Sequence, residues 1–295
     1  LAHGAELHLR ARFDPRSILE DIERLGATYI TAVPAMFRAM VDAARTGTQV
    51  PDVSSMLEMS YGASPIPPEL VREVEKLFPS VRLRQFYGMT EIAGALTTLT
   101  PADHHPSNPH RESAGRVNPG FEVRLVDRDG HDVRDGEPGE ILVKGASVLH
   151  NYWQDPEATK DAIVDGWFRT GDIAVRSDDY LTIMDRAKDM VVTGGENVYP
   201  AEIEAIIYEH PDVADVAVIG VPDDRLGERV HAVVVTQPGA VVELETVMDF
   251  CRSRLAGYKL PRSMELVKEL PRNTTGKILK KELRLRHWEG HQKKV

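Results

Sequence analysis

Residues 184–200, MDRAKDMVVTGGENVYP, bring an apolar run, two adjacent glycines and a helix-starting proline into one short segment. The run Met190-Val191-Val192 precedes Gly194-Gly195, and Pro200 opens the helical pattern AEIEAIIYEH. Adjacent glycines reach backbone conformations with positive φ and admit the close approach of another group. The segment therefore predicts a tight turn between a strand and a helix. A surface turn without further function fits the same residues.

The residues before this segment alternate between helical and strand patterns. Asp14 followed by Pro15 predicts a helix start, and Gly26 predicts its end. Residues 28–34 have the composition of a buried strand. Four further segments continue the alternation: a helix at 35–45, the segment 60–64, a helix at 67–78 and a strand at 81–88. Such alternation predicts an α/β layer.

The character of the chain changes after about Pro119. Residues 121–127 and 140–145 read as strands of a β-rich region, and residues 180–186 as a further strand leading into the glycine segment. Beyond it, helices at 201–210 and 244–255 alternate with strands at 213–221, 230–236 and 263–270. A basic helix beginning at Lys277 completes a compact α+β pattern of domain size.

Charge and cysteine content narrow the function classes. The 36 Lys and Arg against 46 Asp and Glu give a formal net charge of −10, so nucleic acid is not an expected partner. No apolar run approaches the roughly 20 residues that span a bilayer. The single cysteine, Cys251, excludes an internal disulfide and a cysteine metal cluster, and a cytoplasmic location is the expectation that follows.

The common sequence motifs of nucleotide and metal sites are absent or incomplete in this chain. The chain contains no G-x-G, and Gly276-Lys277 lacks the remaining residues of a phosphate-binding P-loop. His104, His105 and His110 fall in a stretch rich in Pro, Asn and Ser without helical spacing, which predicts a solvated loop rather than a metal site.

The run Tyr87-Gly88-Met89-Thr90-Glu91 directly follows a predicted strand. A hydroxyl can donate to a phosphoryl oxygen, and a carboxylate is a hard oxygen ligand, so the run is a candidate phosphate and Mg²⁺ site. A helix cap formed by Thr90 and Glu91 explains the same residues.

Two further runs carry candidate residues. In Trp167–Asp172, WFRTGD, the carboxylate of Asp172 follows a glycine turn and can accept hydrogen bonds from a ribose diol, or simply close the turn. In residues 271–277, PRNTTGK, Lys277 is a mobile positive charge suited to a carboxylate or phosphate. An ordinary surface lysine fits that position too.

The chain resembles the adenylate-forming superfamily of acyl- and aryl-CoA synthetases, luciferases and peptide-synthetase adenylation domains. The resemblance rests on four motifs in this order and spacing: YGMTE, GWFRTGD, DRAKDMVVTGGENVYPAEIE and PRNTTGK. The motifs GGENVYPAEIE and PRNTTGKILK are most similar to those of fatty-acyl-CoA synthetases. The resemblance runs over essentially the whole chain. It implies an α/β plus α+β protein: residues 1–186 as the end of a large AMP-binding domain, and residues 187–295 as a small mobile C-terminal domain.

The resemblance also implies roles for residues of the first predicted region. Gly62-Ala63-Ser64 and Tyr87 match the adenine site, with main chain on one face of the base and the phenol ring on the other. Thr90 matches the residue that binds the α-phosphate, and Glu91 the residue that binds Mg²⁺.

Further roles follow for the second predicted region. Asp172 and Arg186 match residues that hold the ribose hydroxyls, and Lys277 matches the residue that contacts the substrate carboxylate and α-phosphate during adenylation. Lys188 matches the hinge about which the C-terminal domain turns between two half-reactions. Gly194-Gly195 match the loop that lines the pantetheine tunnel after that turn.

Residues 31–40 match a segment that contributes to the acyl pocket. Met36 and Phe37 in this segment fit equally well as ordinary core residues.

The implied function is an ATP-dependent acyl-CoA ligase that joins a carboxylic acid, most similar to a fatty acid, to coenzyme A with release of AMP and pyrophosphate. ATP, Mg²⁺ and coenzyme A are the implied cofactor and co-substrates, and the oligomeric state is not indicated.

The family's Gly/Ser/Thr-rich phosphate loop has no counterpart here, and the chain begins at Leu1. We therefore expect a C-terminal fragment that does not form the acyl-adenylate by itself. Alternatives are an adenylation domain that loads a carrier protein and a truncated, non-catalytic nucleotide-binding module.

Overall fold

A computed structural model describes residues 4–47, 50–64, 66–273 and 276–289. The chain forms two compact units, Leu1–Pro119 and Gly120–Val295, and the division falls where the sequence changes character. None of the helices in these described ranges is long and apolar enough to cross a membrane. Thr274 and Thr275 of the PRNTTGK run lie outside the described residues.

The first unit is an α/β layer. Its helices are α1 (Pro15–Leu25), α2 (Pro34–Thr46) and α3 (Pro68–Leu77), and its strands are β1 (Tyr29–Ala32), β2 (Glu58–Gly62), β3 (Arg82–Met89), β4 (Gly94–Leu99) and β5 (Arg116–Val117). Strands β1, β2 and β3 are parallel, while β4 runs antiparallel to both β3 and β5.

The predicted limits of α1 are confirmed in detail. The side chain of Asp14 accepts a hydrogen bond from the main-chain nitrogen of Ser17 at 2.8 Å, Pro15 is the first helical residue, and Gly26 adopts the left-handed conformation with φ of 61°. The cap and the proline satisfy or remove amide groups that have no partner within the helix.

The core of the first unit lies between its helices and its parallel strands. Phe37 is 1% exposed and its ring packs edge-on against Tyr61 with 6.1 Å between ring centroids, so Phe37 is a core residue. The prediction that residues 28–34 form a buried strand is wrong in part. Strand β1 is the outer strand, and Tyr29 is 53% exposed while its hydroxyl group bonds to Ser60 at 2.7 Å.

The second unit begins with antiparallel strands. They are β6 (Phe121–Val126), β7 (Pro138–Gly145), β8 (Ile163–Val164), β9 (Trp167–Ser177) and β10 (Tyr180–Arg186), with α4 (Pro156–Ala162) between β7 and β8. Strand β9 pairs with β7, β8 and β10, and β6 pairs with β7. The predicted β-rich region is thus confirmed.

The remaining elements build a smaller sheet with helices around it. They are β11 (Val191–Thr193), β12 (Glu196–Val198), α5 (Pro200–Tyr208), β13 (Val213–Asp223), β14 (Gly227–Thr236), α6 (Leu244–Arg252), β15 (Ser263–Leu266) and α7 (Lys280–Trp288). The sheet order is β12-β11-β14-β13, and β15 runs parallel to β14. Apolar residues of β13 and β14 are buried on both faces, with α5 and α6 on one side and α7 on the other.

The basic C-terminal helix begins at Lys280, not at Lys277 as the sequence predicted. The main-chain nitrogen of Lys277 donates to the side chain of Asn273 at 2.9 Å, and Asn273 donates back to the Lys277 carbonyl at 2.9 Å. These bonds, with a bridge between Arg272 and Ile278, bring Asn273 and Lys277 together before the helix begins.

Candidate functional site

The carboxyl ends of β2 and β3 lie side by side in the first unit, because the two strands are parallel and Gly62 pairs with Phe86. A Cβ atom on Gly62 would lie 2.4 Å from the carbonyl oxygen of Phe86, so only glycine fits there. Ala63 follows with φ of 68°, and both Ala63 and Ser64 are exposed. The main chain is therefore open to a ligand at this strand end.

Tyr87 lies half-buried near the end of β3, and a 3-10 turn at Thr90–Ile92 connects β3 to β4. Thr90 is exposed and Glu91 is half-buried. The residue preceding the turn, Met89, makes no side-chain capping bond. The N-cap position of this turn is thus Met89 and not Thr90 or Glu91, and both of these side chains remain candidates for phosphate and metal binding.

His104 also belongs to the first unit and lies half-buried behind these strand ends. Its Nε2 atom is 2.9 Å from the hydroxyl oxygen of Tyr61, and its Nδ1 atom is 2.9 Å from the carbonyl oxygen of Thr100. Burial lowers the pKa of His104, so the ring is neutral at neutral pH. The predicted solvated loop is wrong for this residue, because His104 closes a hydrogen-bond chain from β2 to a 3-10 turn.

In the second unit, Asp172 and Arg186 face each other across β9 and β10, where they are direct partners in the antiparallel register. The Nε atom of Arg186 lies 3.2 Å from Oδ1 of Asp172, and the Asp172 side chain is 7% exposed while that of Arg186 is 39% exposed. Thr170 and Gly171 shape this corner: the Thr170 hydroxyl accepts a hydrogen bond from the Asp172 amide at 3.1 Å, and Gly171 has φ of 71°. The sequence placed these two residues in separate runs, and the strand register brings them together.

Lys277 extends the same group of charges. Its side chain is exposed overall, but partial desolvation of the ammonium group, followed by the positive charge of Arg186, lowers the pKa of Lys277, while Asp172 and Asp189 oppose the change. The charges of Lys277, Arg186 and Asp172 thus act on one another within one unit. Two cations beside one carboxylate can receive an anionic ligand.

Lys188 is exposed and lies two residues after the end of β10. On its N-terminal side, Asp185 accepts hydrogen bonds from the amides of Arg186 at 2.7 Å and Ala201 at 2.8 Å, and the second of these caps α5. Burial raises the pKa of Asp185. The role of Asp185 was missed from the sequence, although it lies within the DRAKD run, because its partner on α5 is distant along the chain.

Gly194 and Gly195 form the two-residue turn of the hairpin β11–β12, with φ of 60° and 89°. Positive φ at both positions is the signature of a type I′ turn. Both glycines are exposed, and the Gly194 amide donates to the Leu226 carbonyl at 2.9 Å. The predicted glycine turn between a strand and a helix is confirmed, with the short strand β12 inserted before α5.

The AMP-binding enzyme family matches residues 1–153, more than half of the 295 residues, and the AMP-binding enzyme C-terminal domain matches residues 202–277. The chain belongs to the AMP-binding enzyme family. The resemblance to adenylate-forming enzymes and the mixed α/β fold class predicted from it are both confirmed.

The relatives of this chain are named as ligases of different carboxylic acids. The chain is 40% identical to an indoleacetate–CoA ligase of Aromatoleum aromaticum over 285 residues, which cover 96% of this chain and 54% of that protein. It is 39% identical to a long-chain-fatty-acid–CoA ligase of Escherichia coli over 282 residues, which cover 95% and 49%. These two relatives are thus CoA ligases of an aryl acid and of a fatty acid, and a fatty acid is not specifically indicated.

Solved structures of the family agree with the fold. The ATP-bound structure of MatB from Rhodopseudomonas palustris matches with a TM-score of 0.84 and 34% identity, covering 96% of this chain and 55% of that one. The chain thus spans about half the length of the relatives it matches.

Proposed function

We propose that the whole protein is an ATP-dependent carboxylic acid–CoA ligase. The reaction consumes the acid, ATP and coenzyme A and yields acyl-CoA, AMP and pyrophosphate through an acyl-adenylate. The observation that carries this proposal is the group formed by Lys277, Arg186 and Asp172, in a chain that belongs to the AMP-binding enzymes. The two cations can neutralise phosphate and carboxylate charge, and the carboxylate can accept hydrogen bonds from sugar hydroxyls.

In the first half-reaction a carboxylate oxygen attacks the α-phosphorus of ATP, forming the acyl–phosphate bond as the bond to pyrophosphate breaks. A carboxylate is a poor acyl donor because oxide cannot leave, whereas AMP is a good leaving group. The protein's contribution to such a step is positioning and charge stabilisation. We assign the ammonium group of Lys277 to the carboxylate and α-phosphate, and the hydroxyl of Thr90 to a phosphoryl oxygen.

A magnesium ion fits the residues at the end of β3. Glu91 is a half-buried carboxylate in a turn beside exposed Thr90, and Mg²⁺ prefers oxygen ligands of this kind while retaining several waters. Glu91 would hold the ion, which supplies positive charge to the phosphate oxygens.

Nucleoside contacts are proposed separately for each unit. In the first unit, Gly62, Ala63 and Ser64 present main chain to the adenine, and Tyr87 presents its ring. In the second unit, the Asp172 carboxylate accepts from the ribose hydroxyls while Arg186 holds that carboxylate in place.

In the second half-reaction the thiol of coenzyme A attacks the acyl carbon, forming the thioester as the bond to AMP breaks. We propose that Lys277 leaves the acyl group before this step and that the Gly194–Gly195 turn takes part in it, after rotation about Lys188. Domain closure about a few residues is an established means of using one site twice. We also propose that residues 1–186 belong to the large AMP-binding domain and that residues 187–295 form the small domain that rotates.

We propose more specifically that the substrate is a fatty acid. An aryl acid is the alternative, since the named relatives include one ligase of each kind. The test is a panel containing a long-chain fatty acid and indoleacetate, with AMP release and acyl-CoA mass as readouts. The proposed ligase gives AMP, not ADP, and only when acid and coenzyme A are both present. Acid-independent AMP release, or none with any acid, contradicts the proposal; preference for indoleacetate contradicts only its fatty-acid form.

A further inference from the structure

Three side chains that commonly bind metals meet on one face of the small sheet. His231 lies on β14, Glu265 on the parallel neighbour β15, and His287 on α7. Val233, two residues beyond His231, is the register partner of Glu265. Because alternate residues of a strand share a face, His231 and Glu265 project to the side that α7 covers.

The ligand atoms of these residues converge. The Nε2 atom of His231 is 3.9 Å from Oε1 of Glu265, the Nε2 atom of His287 is 3.7 Å from the same oxygen, and all three atoms lie within 4.8 Å of one another. Two ligand atoms at about 2.0–2.2 Å from one tetrahedral zinc ion lie roughly 3.3–3.6 Å apart. Side-chain shifts of less than about 1 Å would therefore complete the coordination.

The same three atoms are shielded from solvent and have no hydrogen-bond partner among the described residues. The His231 side chain is only 7% exposed. Buried polar atoms are almost always partnered, and distances of 3.7 Å and more are too long for hydrogen bonds between them. Three such atoms aimed at one point call for a shared partner.

A hydrogen bond sets the orientation of the His231 ring. Its Nδ1 atom lies 2.8 Å from the hydroxyl oxygen of Ser263, which orients the ring and leaves Nε2 directed at the cluster.

We propose that His231, Glu265 and His287 bind one Zn²⁺ ion, with a water molecule completing four positions. Two imidazole nitrogens and one carboxylate oxygen form a ligand set that zinc accepts. The ion ties α7 to β14 and β15, and thereby fixes the helix that follows the Lys277 loop. This site is independent of the proposed ligase function.

The test is a zinc titration of the metal-free, untagged chain against a competing chromophoric chelator. The unmodified chain binds one equivalent, and Glu265→Gln and His287→Gln each weaken binding by about 100-fold or more, since even changes around metal ligands cost about 10- to 100-fold. His131→Gln is the matched control. His131, Asp127 and Asp129 form the other group of potential ligands in the described part of the chain, all exposed, and this substitution leaves the equivalent intact.

A second measurement does not depend on the variants folding. Cobalt bound to the unmodified chain gives intense visible d–d bands typical of four-coordination, and zinc displaces it. Weak bands typical of six-coordination, binding of less than one equivalent, or zinc binding that is lost in His131→Gln but retained in Glu265→Gln would each overturn the proposal.

Discussion

The guanidinium of Arg284 donates a hydrogen bond to the carbonyl oxygen of Lys188 at 3.0 Å, and the same Nη1 atom lies 2.7 Å from Oδ1 of Asp189. The side chains of Arg284 and Asp189 are only 15% and 12% exposed. The rotatable backbone bonds of Lys188 precede its carbonyl group. The contact therefore fixes the C-terminal side of the proposed hinge to α7.

Arg284→Ala should release that peptide and spread the rotation over several residues. We expect both half-reactions of the whole protein to slow by roughly similar factors, on the order of 10-fold, because small misplacements of reacting groups are costly in either orientation. Single-turnover rates of each half-reaction measure this. Arg286→Ala, exposed on the same helix, is the control. Loss confined to one half-reaction would argue against a shared anchor.

Asp172→Asn should weaken binding of AMP or of a non-hydrolysable acyl-adenylate analogue. Hydrogen bonds to a charged group are worth about 1.5–3 kcal/mol, so calorimetry should find affinity lower by about 10- to 100-fold. Asp179→Asn is the control, since Asp179 is exposed in the turn between β9 and β10. An equal loss in both variants would remove Asp172 from the proposed ribose site.

Lys280 and Glu204 form a largely shielded ion pair at 2.7 Å, with side chains 13% and 20% exposed, and Glu204 also accepts from the Val218 amide at 2.6 Å. Burial raises the pKa of Glu204. Lys280→Met leaves this carboxylate without its cation and should lower the free energy of unfolding by about 2–4 kcal/mol in urea titrations. Lys281→Met, exposed beside it, should change little, and equal losses would contradict the assignment.

Gly195→Leu should slow thioester formation more than adenylation, because the side chain would occupy the proposed path of the thiol. A matched control exists in Gly239→Leu. Gly195 and Gly239 have φ of 89° and 82°, and an added Cβ atom meets nothing within 4 Å at either position. Both variants therefore carry a similar backbone cost of about 1–2 kcal/mol. Equal slowing of both half-reactions by Gly195→Leu alone would count against the thiol path.

Local signals were enough to predict much of the fold. The start of α1 depends on Asp14 and Pro15 and its end on Gly26, all of which lie at the ends of the helix. The Gly194-Gly195 turn depends on the positive φ that both glycines adopt. The pairing of Asp172 with Arg186 follows from the β9–β10 register, which the strand patterns suggest but do not specify.

Tertiary contacts explain what the sequence could not supply. Helix α7 begins after Lys277 because the Lys277 amide is bonded to the side chain of Asn273. His104 is half-buried because its ring bonds to the hydroxyl group of Tyr61. The group of His231, Glu265 and His287 unites two strands and a helix that are well separated along the chain, and no spacing rule links them.

Lys277 is proposed to serve adenylation alone, and the most direct test compares the two half-reactions of Lys277→Ala in the whole protein. ATP–pyrophosphate exchange should fall at least about 100-fold, as expected for loss of a charge that stabilises the transition state. Thioester formation from a supplied acyl-adenylate should stay near the unmodified rate. Loss of both half-reactions together would contradict the proposed two-step use of one site.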